Sequence, residues 1–301
     1  MSTVSQMPMP GCSTSPATPR AGHADRRPVA VVLTALNVEY DAVRSHLSQS
    51  NIYRHPAGTL FEIGCLPGVP APVAITITGE GNLSAAVLAE RAIATFRPRM
   101  VLFVGVAGAL AHDVQLGDLV VATKIYAYHG GKHADRGVLH RPAVWQPSHA
   151  LTQLARHVAR TVGWTADPAA QATTRPPHVH FRPVAAGEVV LDSRTTSLAR
   201  QLYRHCNDAA AIEMESAGIA CAVQHNPSVP ALTIRGISDL ADGLKRHADR
   251  AGIQAVASAR AAAFGFALIV AQARRVSDAR STRPRAGSLA RDHNEARDAA
   301  S

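Results

Sequence analysis

Apolar runs alternate with helical patterns through the middle of this chain. The runs are continuous and rich in β-branched residues, as is typical of strands that are covered on both faces. They lie at 29–36, 72–78, 100–108, 118–128 and 230–238. Residues 82–96 are rich in Ala and Leu at helical spacing, and Pro98 follows their end. The alternation predicts an α/β fold with a mixed, mostly parallel central sheet and helices on both faces.

Three stretches depart from this alternation. Residues 130–147 and 173–183 are rich in Pro, His and Arg, and we expect insertions or lid loops there. Residues 79–86, GEGNLSAA, present glycine N–H groups at a helix start, as a phosphate-binding loop does. They have neither a G-x-G-x-x-G spacing nor a Walker lysine, so a tight turn from strand to helix is favoured.

Composition and the apolar pattern favour a protein with one large core. The chain has 301 residues, 47% of them hydrophobic, which suffices for a single large core. The apolar run at 261–273 is short for a membrane span and is flanked by Arg260 and Arg274, so we expect a buried terminal helix. Residues 1–27 contain no apolar signal region, and the four cysteines show no paired spacing. We therefore expect a cytoplasmic protein without a membrane partner.

The formal charge of +9 is concentrated toward the ends of the chain. Arginine-rich tails of this kind are usually solvated, and no aromatic residues are interleaved for stacking on bases. We expect a disordered N-terminal tail at 1–27, one domain at 28–275 and a disordered basic C-terminal tail at 276–301. No nucleic-acid partner is expected.

Two acids lie next to apolar segments, at positions where a ligand could bind. Glu215 opens an apolar helical pattern, and Asp239 stands where the strand at 230–238 ends. The ligand crevice of an open α/β sheet lies outside the carboxyl ends of its strands. Two carboxylates with different roles are what cleavage of a glycosidic or N-glycosidic bond requires. Taken singly, Asp239 is better explained as a helix N-cap and Glu215 as part of a solvated face.

Several segments carry a more specific pattern when they are read in order. They are VAVVLTALNVEYDAV (29–43), VLFVGVAGAL (101–110), VQLGDLVVATKIYAYH (114–129), Met214-Glu215 and Ser238-Asp239-Leu240-Ala241-Asp242. Together they resemble the nucleoside phosphorylase and nucleosidase superfamily, in particular the methylthioadenosine/adenosylhomocysteine nucleosidases. The resemblance spans roughly residues 28 to 273. It implies a nucleoside phosphorylase-like fold, no cofactor, and a homo-oligomer that is a dimer or larger.

The resemblance also implies the roles of the acids. A purine leaves ribose readily when a ring nitrogen is protonated while the sugar becomes cationic. Asp239, in the element that begins with Ser238, is expected to donate that proton. Glu215 is expected to accept hydrogen bonds from the ribose hydroxyls and to stabilise the cation, with Met214 against the sugar.

The purine itself is expected to lie against four residues that match family positions. Val190 and Leu191 belong to the segment GEVVLDS (187–193), and Ala107 and Gly108 let the base approach the third strand. The implied substrate is a small-molecule purine nucleoside or nucleotide.

Glu39 favours hydrolysis over phosphorolysis. It occupies the position at which the nucleosidases carry the Glu that activates water, and Arg235 is expected to help hold that water. The alternative is a first-turn acid that complements a helix dipole. Phosphorylases have an Arg and a Ser where this chain has Phe103 and Val106, and an apolar pair does not bind a dianion. Val106 also departs from the nucleosidases, so a phosphorylase and a catalytically weak nucleotide-binding protein remain alternatives.

The 5′ group of the substrate is left open. Lys245, Arg246, His247 and Arg250 favour a charged 5′ group, unless they form an exposed basic helix start. The chain also resembles phosphorylase-like effector domains of bacterial and fungal defence proteins, some of which cleave adenine from nucleotides such as ATP. Adenine nucleotides and methylthioadenosine or adenosylhomocysteine therefore compete as substrates. No metal site is expected, since His178 and His180 form the only close histidine pair.

Overall fold

The computed structural model describes residues 28–135, 137–166, 175–243 and 252–281. Its strands are β1 (Ala30–Thr34), β2 (Ser48–Arg54), β3 (Leu60–Cys65), β4 (Val73–Ile77), β5 (Val101–Ala109), β6 (Leu119–Ala127), β7 (Gly131–Ala134), β8 (Gly137–His140), β9 (Ala143–Trp145), β10 (Val179–Ala186), β11 (Ala211–Glu213) and β12 (Ala231–Asp239). Its helices are α1 (Asn37–Arg44), α2 (Asn82–Phe96), α3 (His149–Ala159), α4 (Ser197–His205), α5 (Ser216–Gln224) and α6 (Ile253–Ser281), with a short 3-10 helix at Val162–Ala166.

Ten of the strands form one mixed sheet, in the order β11-β10-β6-β12-β5-β1-β4-β3-β2, with β9 paired to β6. Parallel pairs join β1 to β4 and β5, β12 to β5, and β10 to β6 and β11. Antiparallel pairs add β2 and β3 at one edge and join β6 to β12. A further antiparallel pair between β11 and β5 closes five strands into a ring. Because β1, β5 and β12 are mutually parallel, their carboxyl ends lie at one edge of the sheet.

Helices cover both faces of this sheet, as predicted. Val32 of β1 packs in a cluster with Val43 of α1 and with apolar residues of α6. Its neighbours Val31 and Leu33 pack instead with residues of α2 and α5. Successive strand residues point to opposite faces, so a continuous apolar run is what a strand between two helical layers needs.

Helix α6 is the buried terminal helix that the apolar run predicted. Ile253–Arg275 is long and apolar enough to cross a membrane by length and composition, but 61% of its most apolar window is buried inside the protein. It packs against α1, β5 and β12. The helix continues beyond residue 275 to Ser281.

Two expectations about local structure are corrected. Residues 179–186 form β10, which pairs with β6 in the sheet, so the prediction of a loop through 183 is wrong from Val179 onward. The strand was missed because His180 and Arg182 interrupt the apolar pattern and because a central strand usually avoids a proline such as Pro183. Residues 130–147 contain the hairpin of β7 and β8, which lies outside the main sheet, and the sheet strand β9.

Cysteine pairing also differs from expectation at one position. Cys206 and Cys221 are free. Cys65 is disulfide-bonded, which the spacing of the four cysteines did not predict.

Candidate active site

A cavity of about 430 Å³ lies at the edge where β1, β5, β11 and β12 end. The last residues of these strands and the residues just after them supply most of its lining, in keeping with the position of ligand crevices in open α/β sheets. The lining residues are Ala35, Leu36, Asn37, Val38, Glu39, Glu80, Val106, Ala107, Gly108, Val189, Val190, Leu191, Ile212, Glu213, Met214, Glu215, Ser238, Asp239 and Gln254.

Every predicted site residue that the structure describes lines this cavity, except Arg235. The residues brought together are Glu39, Ala107, Gly108, Val190, Leu191, Met214, Glu215, Ser238 and Asp239. Arg235 lies fully buried beneath the cavity, where it contacts the acids and not the cavity surface. The lining residues that the sequence did not single out include Glu213 and three polar residues, Asn37, Glu80 and Gln254.

Arg235 is the centre of a cluster of three buried carboxylates. Its Nη2 donates to Glu213, and also to Glu215 Oε2 at 3.0 Å. Its Nη1 lies 3.7 Å from Glu39 Oε1. The ring of Phe103 covers the guanidinium, with the Arg235 Cζ 3.7 Å from the ring centroid. A single cation thus holds three acids together, and the cluster carries excess negative charge when all three are ionised.

Glu39 is fixed by backbone donors from β5 and from the turn after β1. Its Oε2 accepts from Ala35 N at 2.7 Å and Leu36 N at 3.0 Å, and its Oε1 accepts from Val106 N at 2.7 Å. The bonds to Ala35 and Leu36 satisfy N–H groups at the start of α1, as a first-turn acid does. Glu39 is therefore a first-turn acid of α1 and also lines the cavity, while its role toward water stays a prediction.

Gly105 makes this arrangement possible. A Cβ at this position would overlap Arg235 Nη1 and the Glu39 carboxylate. Any side chain at position 105 would therefore push apart the two groups that we expect to hold the water. This requirement was not visible in the sequence, because it depends on residues of α1 and β12 that only the assembled sheet brings beside β5.

Glu215 faces the cavity from the start of α5. Its Oε1 accepts from Gly81 N at 3.1 Å, at the turn that leads into α2. Burial raises the pKa of this carboxyl to about 7, while Arg235 lowers it and Glu213 adds to the rise. The turn at residues 79–81 is thus the tight strand-to-helix turn that was favoured, and its Gly81 N–H group binds a carboxylate of the protein itself.

Glu213 secures the segment that carries Met214 and Glu215. Its carboxylate accepts from Glu215 N at 3.2 Å and from Ser216 N at 3.0 Å, as well as from the Ser216 hydroxyl at 3.0 Å. It therefore satisfies free N–H groups at the start of α5. The available signal was an acid placed just before an apolar helix, which is the usual position for such a cap.

Asp239 is held at the irregular end of β12. Its Oδ1 accepts from Ala241 N at 3.0 Å, across a turn in which Ala241 has a φ of 50°. Gly108 lies directly beside it, and a Cβ there would come within 2.8 Å of Asp239 Oδ1. Gly108, which was expected to make room for the base, also makes room for this carboxyl. A helix capped by Asp239 would begin at residue 240, but residues 240–243 are not helical, so the alternative of a helix N-cap is wrong.

The residues expected to contact the purine differ in exposure. Leu191 is buried, whereas Val189 and Val190 are 43% and 59% exposed. Apolar side chains at the mouth of a cavity are suited to the flat face of a base. The basic residues predicted to recognise the 5′ group, 245–247 and 250, lie outside the described residues. Within the described part of the chain, no group of three or more His, Cys, Asp or Glu could hold a metal ion.

Residues 29–270 match the family model of the Phosphorylase superfamily. The chain belongs to this superfamily. The predicted family resemblance and the nucleoside phosphorylase-like fold are therefore confirmed. Solved structures with the same fold include the methylthioadenosine/adenosylhomocysteine nucleosidase of Neisseria meningitidis in complex with methylthio-immucillin-A. It superposes with a TM-score of 0.66 at 22% identity and covers 80% of this chain and 97% of that one.

Proteins similar to this chain are named as enzymes that act on nucleosides or nucleotides. The ATP nucleosidase Cap17 of Escherichia coli is 27% identical over 247 residues, which is 72% of this chain and 47% of the relative. This chain therefore spans about half the length of that relative. A methylthioadenosine/adenosylhomocysteine nucleosidase of Halalkalibacterium halodurans is 26% identical over 219 residues, covering 70% and 84% respectively. The futalosine hydrolase of Helicobacter pylori has a TM-score of 0.65 at 22% identity, covering 80% of this chain and 96% of that one.

Proposed function

We propose that this chain hydrolyses the N-glycosidic bond of an adenine nucleoside or nucleotide. The observation that carries the proposal is the convergence of Glu39, Glu215 and Asp239 on one cavity at the strand ends. The named activities of its relatives point to the same reaction. A protein that only binds a nucleoside has no need for three acids around a sugar.

Asp239 is the proposed acid for the leaving base. It lies beside the parallel strand β5, whose Ala107 and Gly108 also line the cavity. A proton delivered to N7 of the purine lets the bond between N9 and C1′ break with the electron pair remaining on the base. Adenine then leaves as a neutral molecule.

Glu215 and Glu39 are proposed to act on the sugar and the water. Glu215, when ionised, accepts hydrogen bonds from the ribose hydroxyls and stabilises the positive charge that develops on the ring. Glu39 accepts a proton from the water whose oxygen bonds to C1′. Arg235 keeps both carboxylates in place from below, since its guanidinium lies close to each of them.

Four features favour water over phosphate as the nucleophile. Phe103 is fully buried against Arg235 and offers no donor to an anion. Val106 presents an apolar side chain to the cavity. The Gly81 N–H, at the helix start where an anion would bind, already donates to Glu215. A phosphate dianion would also meet repulsion from Glu39 and Glu215.

The 5′ group is proposed to decide between two substrate classes. If Lys245 and Arg246 face the cavity, they favour a phosphate chain, as in adenine nucleotides. If they are solvated, the uncharged 5′ groups of methylthioadenosine and adenosylhomocysteine fit better. We further propose a cytoplasmic homo-oligomer that has no nucleic-acid or membrane partner.

Free adenine measured by chromatography tests this function. The purified chain is incubated with ATP, AMP, adenosine, methylthioadenosine or adenosylhomocysteine, with and without phosphate. Adenine released without phosphate supports hydrolysis, and release only after phosphate is added makes the protein a phosphorylase. No release from any substrate favours the binding protein. A K245A/R246A variant that loses ATP cleavage but keeps methylthioadenosine cleavage would assign the charged 5′ group to these residues.

A further inference from the structure

Three separate segments meet at Asn82, the first residue of α2. Its Nδ2 donates to Gly187 O at 2.7 Å and to Glu188 Oε1 at 2.8 Å. Its Oδ1 accepts from Gly218 N at 2.9 Å. An amide side chain supplies donors and an acceptor at the same position, which neither a carboxylate nor an alkyl group does. One side chain thereby connects α2, α5 and the segment after β10.

Each of these segments leads directly into the cavity. Gly187 and Glu188 precede the stretch at 189–191 that we expect to contact the purine, here called the purine wall. On the other side, Gly218 belongs to the first turn of α5, shortly after Glu215. Asn82 therefore lies between the group proposed for the base and the group proposed for the ribose.

The segments that Asn82 connects are packed so closely that they cannot shift far relative to one another. A Cβ at Gly218 would overlap the carbonyl oxygen of Asn82, and a Cβ at Gly187 would overlap the Tyr128 ring. Gly81, next to Asn82, donates its N–H to Glu215. The distance between Glu215 and the purine wall is therefore fixed through the start of α2.

We infer that Asn82 is a positioning residue that sets the separation of the ribose carboxylate and the purine wall. It does not line the cavity and so acts through Glu215 and residues 189–191. The inference rests on the proposed nucleosidase function for its kinetic consequences. Because small displacements of bound reactants reduce rates strongly, loss of the three hydrogen bonds is expected to weaken catalysis without removing any acid.

Asn226 provides a matched control. Its Nδ2 donates to Glu90 Oε2 at 2.5 Å and to Ala222 O at 2.9 Å, so it also joins α2 to the α5 segment through one carboxylate and one carbonyl. Glu90 lies about 12 Å along α2 from Asn82 at the usual rise per residue. The Asn226→Ala variant therefore removes similar bonds between the same elements at the end away from the cavity.

The first test compares kcat and KM for adenine release in N82A and N226A. We expect N82A to lower kcat/KM by about 10- to 100-fold, mainly through kcat, because misplaced reactants react more slowly once bound. We expect N226A to stay within about twofold of the wild type, because it is distant from the site. Thermal unfolding is measured for both variants. If the two variants lose the same stability but only N82A loses activity, the loss of activity is not due to a general loss of stability. Equal kinetics in the two variants would overturn the inference.

A second test exchanges the amide of Asn82 with the carboxylate of Glu188. In N82D the acceptor for Gly218 remains, but two carboxylates face each other at Glu188, and we expect kcat/KM to fall at least as far as in N82A. Adding E188Q places an amide at position 188 that donates to the new carboxylate, which restores one bond with donor and acceptor reversed. We expect the double variant to recover about tenfold over N82D. A double variant no better than N82D would contradict the positioning role.

A measurement without substrate separates this inference from the proposed function. Amide hydrogen exchange over residues 187–191 is expected to speed up in N82A and to remain unchanged in N226A. If the wild type releases no adenine, the nucleosidase proposal fails while this result still decides the role of Asn82. Exchange that is unchanged in N82A would overturn the positioning role whatever the activity.

Discussion

The cavity holds its acids in two different ways. Glu39 and Glu215 belong to an ion cluster in which Arg235 also pairs with Glu213. Asp239 instead lies at the end of β12, where its carboxyl accepts from Ala241 N and fits against Gly108. The comparison separates a region that gathers negative charge from a region that holds the one carboxyl proposed for proton transfer.

Of the two regions, only the Arg235 cluster lowers the stability of the fold. Three carboxylates buried around a single guanidinium carry excess negative charge in a poorly solvated site. This charge opposes folding and, in the proposed mechanism, stabilises a cationic sugar. The raised pKa of Glu215 is the sign of this cost. We therefore expect substitutions at Asp239 to change rate, and substitutions in the Arg235 cluster to change both rate and stability.

The largest effect is expected from Asp239→Asn. The amide keeps the shape of the side chain and an oxygen for Ala241 N, but it does not deliver a proton to the base. We expect kcat for adenine release to fall by about 10²- to 10⁴-fold, with little change in thermal unfolding. A rate close to that of the wild type would exclude Asp239 as the acid.

Next in size is the effect of Arg235→Met on stability. The variant leaves Glu39, Glu213 and Glu215 buried without their cation. We expect the free energy of unfolding, measured in urea at neutral pH, to fall by about 3–5 kcal/mol. A loss below about 1 kcal/mol, typical of an exposed ion pair, would show that the cluster is not held by Arg235.

The pH dependence of kcat/KM should follow Glu215. Its pKa is raised to about 7, so the carboxyl takes up a proton as the pH falls below that value. Since the ionised form stabilises the sugar, we expect kcat/KM to fall about tenfold per pH unit below neutrality. A profile that stays flat from pH 8 down to pH 5 would contradict the role of Glu215.

The smallest effect is expected on the stability of Glu215→Gln. In the folded state the pKa of Glu215 is raised from its ordinary value of 4.5 to about 7. The native protein therefore binds this proton more tightly than the unfolded chain does. The stability contributed by the protonated form is present below about pH 4.5 and is lost as the pH rises to about 7. At pH 8 the glutamine variant should be more stable by about 1–3 kcal/mol, although less active.

Unfolding at pH 4 serves as the control for this substitution, because the wild-type carboxyl is then neutral as well. The gain in stability should shrink toward zero there. A gain of the same size at both pH values would mean that the charge of Glu215 is not its source.

Much of the fold was accessible from the sequence because particular patterns were strong. The helix at 82–96 was predicted to the residue, since glycine precedes it and Pro98 follows it. The strands at 72–78 and 230–238 were clear because both of their faces are buried. By contrast, β2 is exposed and polar, and β10 carries charged residues and a proline. Neither strand has the apolar pattern on which the prediction depended.

The candidate site shows the same division. Glu39, Glu215 and Asp239 were accessible because they follow or precede recognisable segments and match a family pattern. Glu213, Gly105 and Asn82 were not, because their roles depend on partners that are distant in sequence. Asn82, for example, bonds to residues 105, 106 and 136 positions away. Those contacts exist only once α2, α5 and the segment after β10 are brought together by the sheet.

The central claim is that three acids direct water to C1′ of an adenine nucleoside or nucleotide. Its most direct test is adenine release in ¹⁸O-labelled water without phosphate, followed by mass spectrometry of the sugar product. The account predicts one labelled oxygen at the anomeric carbon for each adenine released. A product that forms only when phosphate is added, and that carries phosphate and no label at that carbon, would contradict it.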